Sequence, residues 1–151
     1  MIPIQPELPA ADEPTRTHDI QHYMRPGTLQ LQTLPPLALY VHLPWCLKKC
    51  PYCDFNSHEM RGTDLPERAY LSALMMDLEA ALPLIWGRSV QTVFIGGGTP
   101  SLFSPAAIDQ LLAGIRARLK LAPDAEITLE ANPGTFEKDR FKAFRAAGVS
   151  R

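Results

Sequence analysis

All three cysteines of the chain lie in one run, Cys46-Leu-Lys-Lys-Cys50-Pro-Tyr-Cys53. Their spacing is C-x3-C-x2-C, directly after an apolar run, Leu37-Ala-Leu-Tyr-Val-His-Leu43. Three close thiolates suit a soft metal centre. A [4Fe–4S] cluster held by three thiolates keeps one iron open to an exogenous ligand, whereas electron transfer alone normally uses four. Zinc is the alternative, with His42 or His58 as fourth ligand, although zinc sites usually pair cysteines and add a distant second pair. An odd count in a chain that is not cysteine-dense argues against a disulfide scaffold. Lys48 and Lys49 lie inside the run; they could offset negative charge on the thiolates and on a bound carboxylate, or simply be solvated.

A second stretch able to do chemistry is Gly96-Gly-Gly-Thr-Pro-Ser101. Without Cβ atoms its backbone can approach a ligand closely and offer polar groups. It is not a dinucleotide fingerprint, because Ser101 stands where the third glycine should be and Pro100 intrudes. It is not a phosphate loop either, since the Gly-Lys-Ser/Thr ending is missing.

The elements that must position these groups alternate. A strand is expected over 37–43, stopped by Pro44, which cannot donate to a ladder. The cysteine loop follows, to about Gly62. A helix is expected from about Pro66, with Asp64 as cap. Tyr70, Leu71, Leu74, Met75, Leu78 and Leu82 recur on one face of it, and Met75 and Met76 read as core filler. Pro83 limits this helix and Gly87 marks the turn. Strand two is 90–95, and Ser104-Pro105 opens a second helix as cap and first position. Its apolar stripe is Ile108, Leu111, Leu112, Ile115 and Leu119. Strand three is 126–131, broken by Asn132-Pro133-Gly134. Thr135 caps a third helix to about Ala147, with Glu137 and Asp139 in its first turn. Phe141 and Phe144 face inward, and Gly148 is the stop. Residues 149–151 read as the first step of a fourth strand. Three βα units in series imply an α/β fold with a parallel sheet and right-handed crossovers.

Bulk properties fit one globular domain: 151 residues, 46% hydrophobic, 21% charged. A net charge of −1 gives no basic field for nucleic acid. No apolar run approaches a membrane span, no secretory signal opens the chain, and reduced thiols fit the cytoplasm. Residues 1–36 carry seven of the fifteen prolines and read as a disordered or loosely docked extension. In that setting the i, i+4 spacing of His18 and His22 reads as chance.

The cysteine spacing after a strand, followed by the glycine run, resembles the radical S-adenosylmethionine (radical SAM) superfamily. The wider wording, Tyr40-Val-His-Leu-Pro-Trp-Cys46 and Cys53-Asp-Phe-Asn-Ser57, is similar to the group of oxygen-independent coproporphyrinogen III oxidase and the haem chaperone HemW. The likeness covers about 37–151. It implies that 37–151 are the N-terminal part of a partial (β/α) TIM-like barrel, with functional residues at the carboxyl ends of the strands. It implies a [4Fe–4S] cluster on Cys46, Cys50 and Cys53. It implies SAM contacts from Tyr40, from Tyr52 beside the adenine, from Gly97, Gly98 and Thr99 along the methionine moiety, and from Glu130; Gly96 joins the candidate cofactor-binding residues by its place in the glycine run. In such proteins one electron from the reduced cluster breaks a carbon–sulfur bond of SAM. The cofactor supplies that reactivity, and the protein positions it.

One departure separates the relatives. The oxidases carry a further cysteine two residues after the third, where this chain has Phe55. The expectation is therefore a haem chaperone that keeps the cluster and SAM. The alternatives are a true radical oxidase making protoporphyrinogen IX and a zinc-binding interaction module. The resemblance also implies haem or porphyrin in the full-length protein, a haem acceptor protein, and an electron donor such as flavodoxin or ferredoxin. The chain itself is expected to be a fragment, because such a barrel needs more than three strands.

Overall fold

A computed structural model describes residues 25, 27, 32–60, 62, 64–85, 87–132 and 138–151. Two compact units are distinguished, 1–35 and 36–151, and the fold is that of the second. His18, His22 and nearly all of the expected extension lie outside the described residues, as do Thr135 and Glu137.

Strands β1 (Leu37–Leu43), β4 (Val90–Gly97) and β5 (Leu121–Leu129) form a parallel sheet in the order β1-β4-β5. Tyr40 stands opposite Phe94 and Ile95 opposite Leu129, so one alternation runs through all three strands. Val41, Leu43, Val93, Ile95, Ile127 and Leu129 are buried on one face. They share one hydrophobic cluster with the buried stripe of helix α2 (Pro105–Arg118), with Leu71 of α1 (Glu67–Ala81) and with Phe144 and Ala147 of α3 (Lys138–Ala147). Fully burying an aliphatic or phenylalanine side chain is worth about 1.5–3 kcal/mol, so this face holds the unit together.

Helix α2 starts as its sequence predicts: the Ser104 hydroxyl accepts from Ala107 N–H at 3.1 Å and Pro105 is the first helical residue. Ile108, Leu111, Leu112, Ile115 and Leu119 are all buried. Helix α1 departs from expectation. Its cap position is Pro66, with no side-chain cap bond, so Asp64 does not serve. Proline has no N–H to satisfy at that end, which lowers the need for a cap. Glu67 acts at a distance instead, accepting from Ser104 N–H at 2.5 Å and Ser104 O–H at 2.7 Å, so two helix starts are clamped together. Met75 packs against the core, but Met76 is 68% exposed and is not core filler; neighbouring residues in a helix point about 100° apart.

The strands differ at their ends. β4 runs two residues beyond Ile95, through Gly96 and Gly97. β5 begins five residues earlier than expected, at Leu121, and ends at Leu129. Its register jumps: Val90 pairs with Leu121 but Thr92 with Glu126, which leaves Pro123 in an irregularity rather than in the ladder. Beside β5, Ser150 N–H donates to Ile127 O at 2.8 Å and Leu129 N–H to Arg151 O at 2.9 Å. Residues 149–151 thus follow the β5 edge as a fourth strand would begin, although no strand forms over them.

Candidate functional site

Both chemically capable stretches leave the carboxyl ends of neighbouring strands, and the backbone knits them together. Gly98 N–H donates to Leu43 O at 2.9 Å and Thr99 N–H to Trp45 O at 2.7 Å. The glycine segment is therefore laced to the start of the cysteine loop. A Cβ at Gly98 would lie 2.6 Å from the Trp45 carbonyl oxygen and 2.8 Å from the Pro44 carbonyl carbon. Gly97 has φ +120, and a Cβ there would meet the His42 ring at 2.9 Å. Glycine is needed here first by the protein's own chain, a closer constraint than approach to a ligand.

The cysteine loop has its own framework. Two short strands, β2 (Trp45–Cys46) and β3 (His58–Glu59), pair in parallel at its mouth. Cys53 N–H closes a turn onto Cys50 O at 3.1 Å. Lys49 Nζ donates to Ser57 O at 2.9 Å and to Phe55 O at 3.3 Å, so this cation braces the loop from inside. Trp45 anchors the mouth, packing edge-on against Tyr70 at 4.6 Å, while Tyr70 O–H donates to His42 O at 2.8 Å.

All three cysteines are free thiols; Cys50 is exposed and the other two are partly so. Their chemistry fits an iron–sulfur cluster: three soft, reduced donors on one loop, with no disulfide among them. As they stand, no three His, Cys, Asp or Glu side chains among the described residues form a group that could hold a metal ion. The loop supplies the donors without converging them.

The open face of the sheet carries the other expected residues. A Cβ on Gly96 would lie 3.0 Å from Glu130 Oε2 and 3.1 Å from the Tyr40 ring, and Glu130 Oε2 accepts from Gly97 N–H at 3.3 Å. Tyr40, Gly96, Gly97 and Glu130 thus meet at one place, with Tyr40 stacked on Phe94 at 6.1 Å. Partial burial, then the Glu130 charge, push the Tyr40 phenol above its ordinary 10.0, so it stays protonated. Its oxygen is 2.9 Å from His42 Nδ1, and His42 Nε2 is 2.7 Å from the Asn56 carbonyl oxygen. That carbonyl can only accept, so Nε2 carries a proton and, in the neutral ring, Nδ1 accepts from Tyr40. His42 therefore bridges the sheet face to the far side of the cysteine loop. With both nitrogens engaged, it is not the free fourth ligand that a zinc site would require.

Thr99 is buried and, with Cys50, Lys48 and Asn132, lines a cleft of about 310 Å³ between the two stretches. Tyr52 is not gathered in: it is 86% exposed. Its hydrogen bond to Cys50, and then the negative charge that the Cys50 and Cys53 sulfurs carry as thiolates, raise its phenol. Sequence reasoning missed the bridging role of His42 and the buried hydroxyl of Ser57. The bridge has a signal, a polar residue two positions from Tyr40 on the same strand face; the hydroxyl has none.

A profile of the Radical SAM superfamily matches residues 40–151. The chain belongs to the radical SAM superfamily. Among this radical SAM chain's curated relatives, heme chaperone HemW of Escherichia coli is 58% identical over 118 residues, which are 78% of this chain and 31% of that protein. Heme chaperone HemW of Haemophilus influenzae is 52% identical over 122 residues. Radical S-adenosyl methionine domain-containing protein 1, mitochondrial, of Bos taurus is 46% identical over 114 residues, 76% of this chain and 25% of that one. Among solved structures, coproporphyrinogen III oxidase (HemN) from Escherichia coli, described as a radical SAM enzyme, superposes with a TM-score of 0.70 at 37% identity. It covers 77% of this chain and 26% of its own. The α/β fold with parallel strands is the radical SAM fold of that enzyme. The chain spans about a third of the length of the HemW relatives it matches.

Proposed function

We propose that this radical SAM chain is part of a haem chaperone of the HemW type, with a [4Fe–4S] cluster on Cys46, Cys50 and Cys53. The carrying observation is the run Cys53-Asp-Phe-Asn-Ser57 within a region 58% identical to a heme chaperone. Phe55 stands where the oxidase wording has a further cysteine.

When bound, a reduced cluster and SAM together supply one-electron cleavage of a carbon–sulfur bond. This chain's residues bind and orient. Gly98 and Thr99 keep the loop mouth against β4, so the three cysteines that would hold the cluster stay beside the strand ends. The Glu130 carboxylate, oriented by Gly97 N–H, would contact SAM through its negative charge. Gly96, with no Cβ, would let Tyr40, Phe94 and Glu130 close over its backbone and so shape the face offered to the methionine tail. Tyr40, kept protonated and tied to His42, lines the same place. Tyr52 reaches the adenine only if the loop folds inward around the cluster.

A second reading, a radical oxidase acting on coproporphyrinogen, is favoured by the structural match to HemN. Either role involves a porphyrin or haem. A haem acceptor protein and an electron donor such as flavodoxin or ferredoxin complete the chaperone reading. No helix among the described residues is long and apolar enough to cross a membrane. The free thiols suit a reducing compartment, and we place the protein in the cytoplasm.

Anaerobic reconstitution of the full-length protein tests this. Iron, acid-labile sulfide and a SAM-dependent change in the paramagnetic resonance spectrum are expected, with saturable haem binding and no porphyrinogen turnover. Turnover to protoporphyrinogen IX would select the oxidase, and zinc without sulfide would defeat both.

A further inference from the structure

Ser57 is 2% exposed, one of the few buried polar residues in the described part of the chain. Its hydroxyl lies 3.4 Å from Cys53 Sγ, the one side-chain partner it shows. Its own peptide groups are held on both sides. Ser57 N–H donates to Phe55 O at 2.7 Å and Ser57 O accepts from Lys49 Nζ at 2.9 Å. The next residue is tied down as well, His58 N–H donating to Pro44 O at 2.7 Å. A hydroxyl costs free energy to bury unless it is hydrogen-bonded. This loop nevertheless buries one, pins its backbone and aims it at a thiol.

With a free thiol either atom can donate. A thiolate, or a thiolate bound to iron, can only accept, so the Ser57 hydroxyl must then be the donor. A hydrogen bond onto a cluster sulfur stabilises the electron-richer state and raises the reduction potential. We infer that Ser57 is a positioning and tuning residue that donates to Cys53 and makes the cluster easier to reduce. The inference rests on the cluster reading above and adds a residue that sets how readily an electron is accepted.

The test is a redox titration of the reconstituted full-length protein without SAM, followed by paramagnetic resonance, in wild type, Ser57→Ala and Ser57→Thr. Ser57→Ala removes one atom and should still assemble a cluster. At a fixed potential its reduced fraction should fall about tenfold relative to oxidised, which is about 59 mV for a one-electron couple. Ser57→Thr keeps the hydroxyl and should restore the wild-type midpoint. An unchanged midpoint in Ser57→Ala would overturn the role of Ser57 while leaving the cluster reading intact. Loss of the cluster from both variants would also overturn it, since the need would then be for shape and not for a donor. A wild type that assembles no cluster would overturn both.

Discussion

The two faces of the sheet are built from the same strands, one residue out of step. Val41, Leu43, Val93, Ile95, Ile127 and Leu129 are buried beneath the helices. Their neighbours Tyr40, His42, Phe94, Thr128 and Glu130 point the other way, with Tyr40 56% and Phe94 40% exposed. The first set is purely aliphatic and carries the stability. The second is aromatic and polar, linked by hydrogen bonds and ring contacts, and ends beside the cysteine loop. A period of two thus lets one strand serve packing and chemistry without either compromising the other. If that separation is real, damage to one face should spare the other.

The largest effect is expected on the loop, which carries all three cysteines of this chain. Cys46→Ala, Cys50→Ala or Cys53→Ala in the full-length protein should abolish cluster binding while the urea unfolding midpoint hardly moves. Full iron and sulfide content in any one of them would sink the assignment. Next comes the covered face. Leu112→Ala should cost about 2–5 kcal/mol by urea unfolding, with cluster content per folded molecule unchanged; a loss below about 1 kcal/mol would contradict the packing described.

Gly98→Val lies between the two regimes. Its side chain would strike the Pro44–Trp45 backbone, so about 1–3 kcal/mol of stability should go, and cluster assembly should fail with it. A variant that loads its cluster fully but ignores SAM would show instead that ligand approach sets the glycine requirement. The smallest effect on stability belongs to the open face. Glu130→Gln should stay within about 0.5 kcal/mol of wild type, because the amide oxygen can still accept from Gly97. The SAM-induced spectral change should need at least about tenfold more SAM, the loss of one charge-assisted hydrogen bond. An unaltered SAM titration would remove Glu130 from the site.

Much of this was legible in the residues. β1 occupies the predicted 37–43, and Ser104-Pro105 opens α2 as read, because hydrophobic period and capping chemistry are local. β5 starts five residues before the expected 126, because the strand accommodates Pro123 and Asp124 by breaking register. Asp64 is not the cap because Pro66 holds that position without a side-chain bond; the carboxylate that does act, Glu67, works on a residue 37 positions away. The residues expected at the site were named from motif wording, yet the physical reason for Gly98 was hidden. It lies in the Trp45 carbonyl, which sequence alone does not bring near. Ser57 and the His42 bridge depend in the same way on how the loop folds back.

The paired ends of the cysteine loop bear on how the protein ages. His58 N–H to Pro44 O and Met60 N–H to Cys46 O close the stretch 47–57 with backbone alone. Loop-closure entropy is thereby met by peptide groups rather than by iron. The expected result is that oxygen can strip the centre without unravelling its seat. Amide exchange at His58 and Met60 should stay slow in cluster-free protein; rapid exchange there would disprove it. On the cluster reading proposed above, loss of the centre would then be a question of occupancy rather than of denaturation, and an emptied molecule would remain fit for repair.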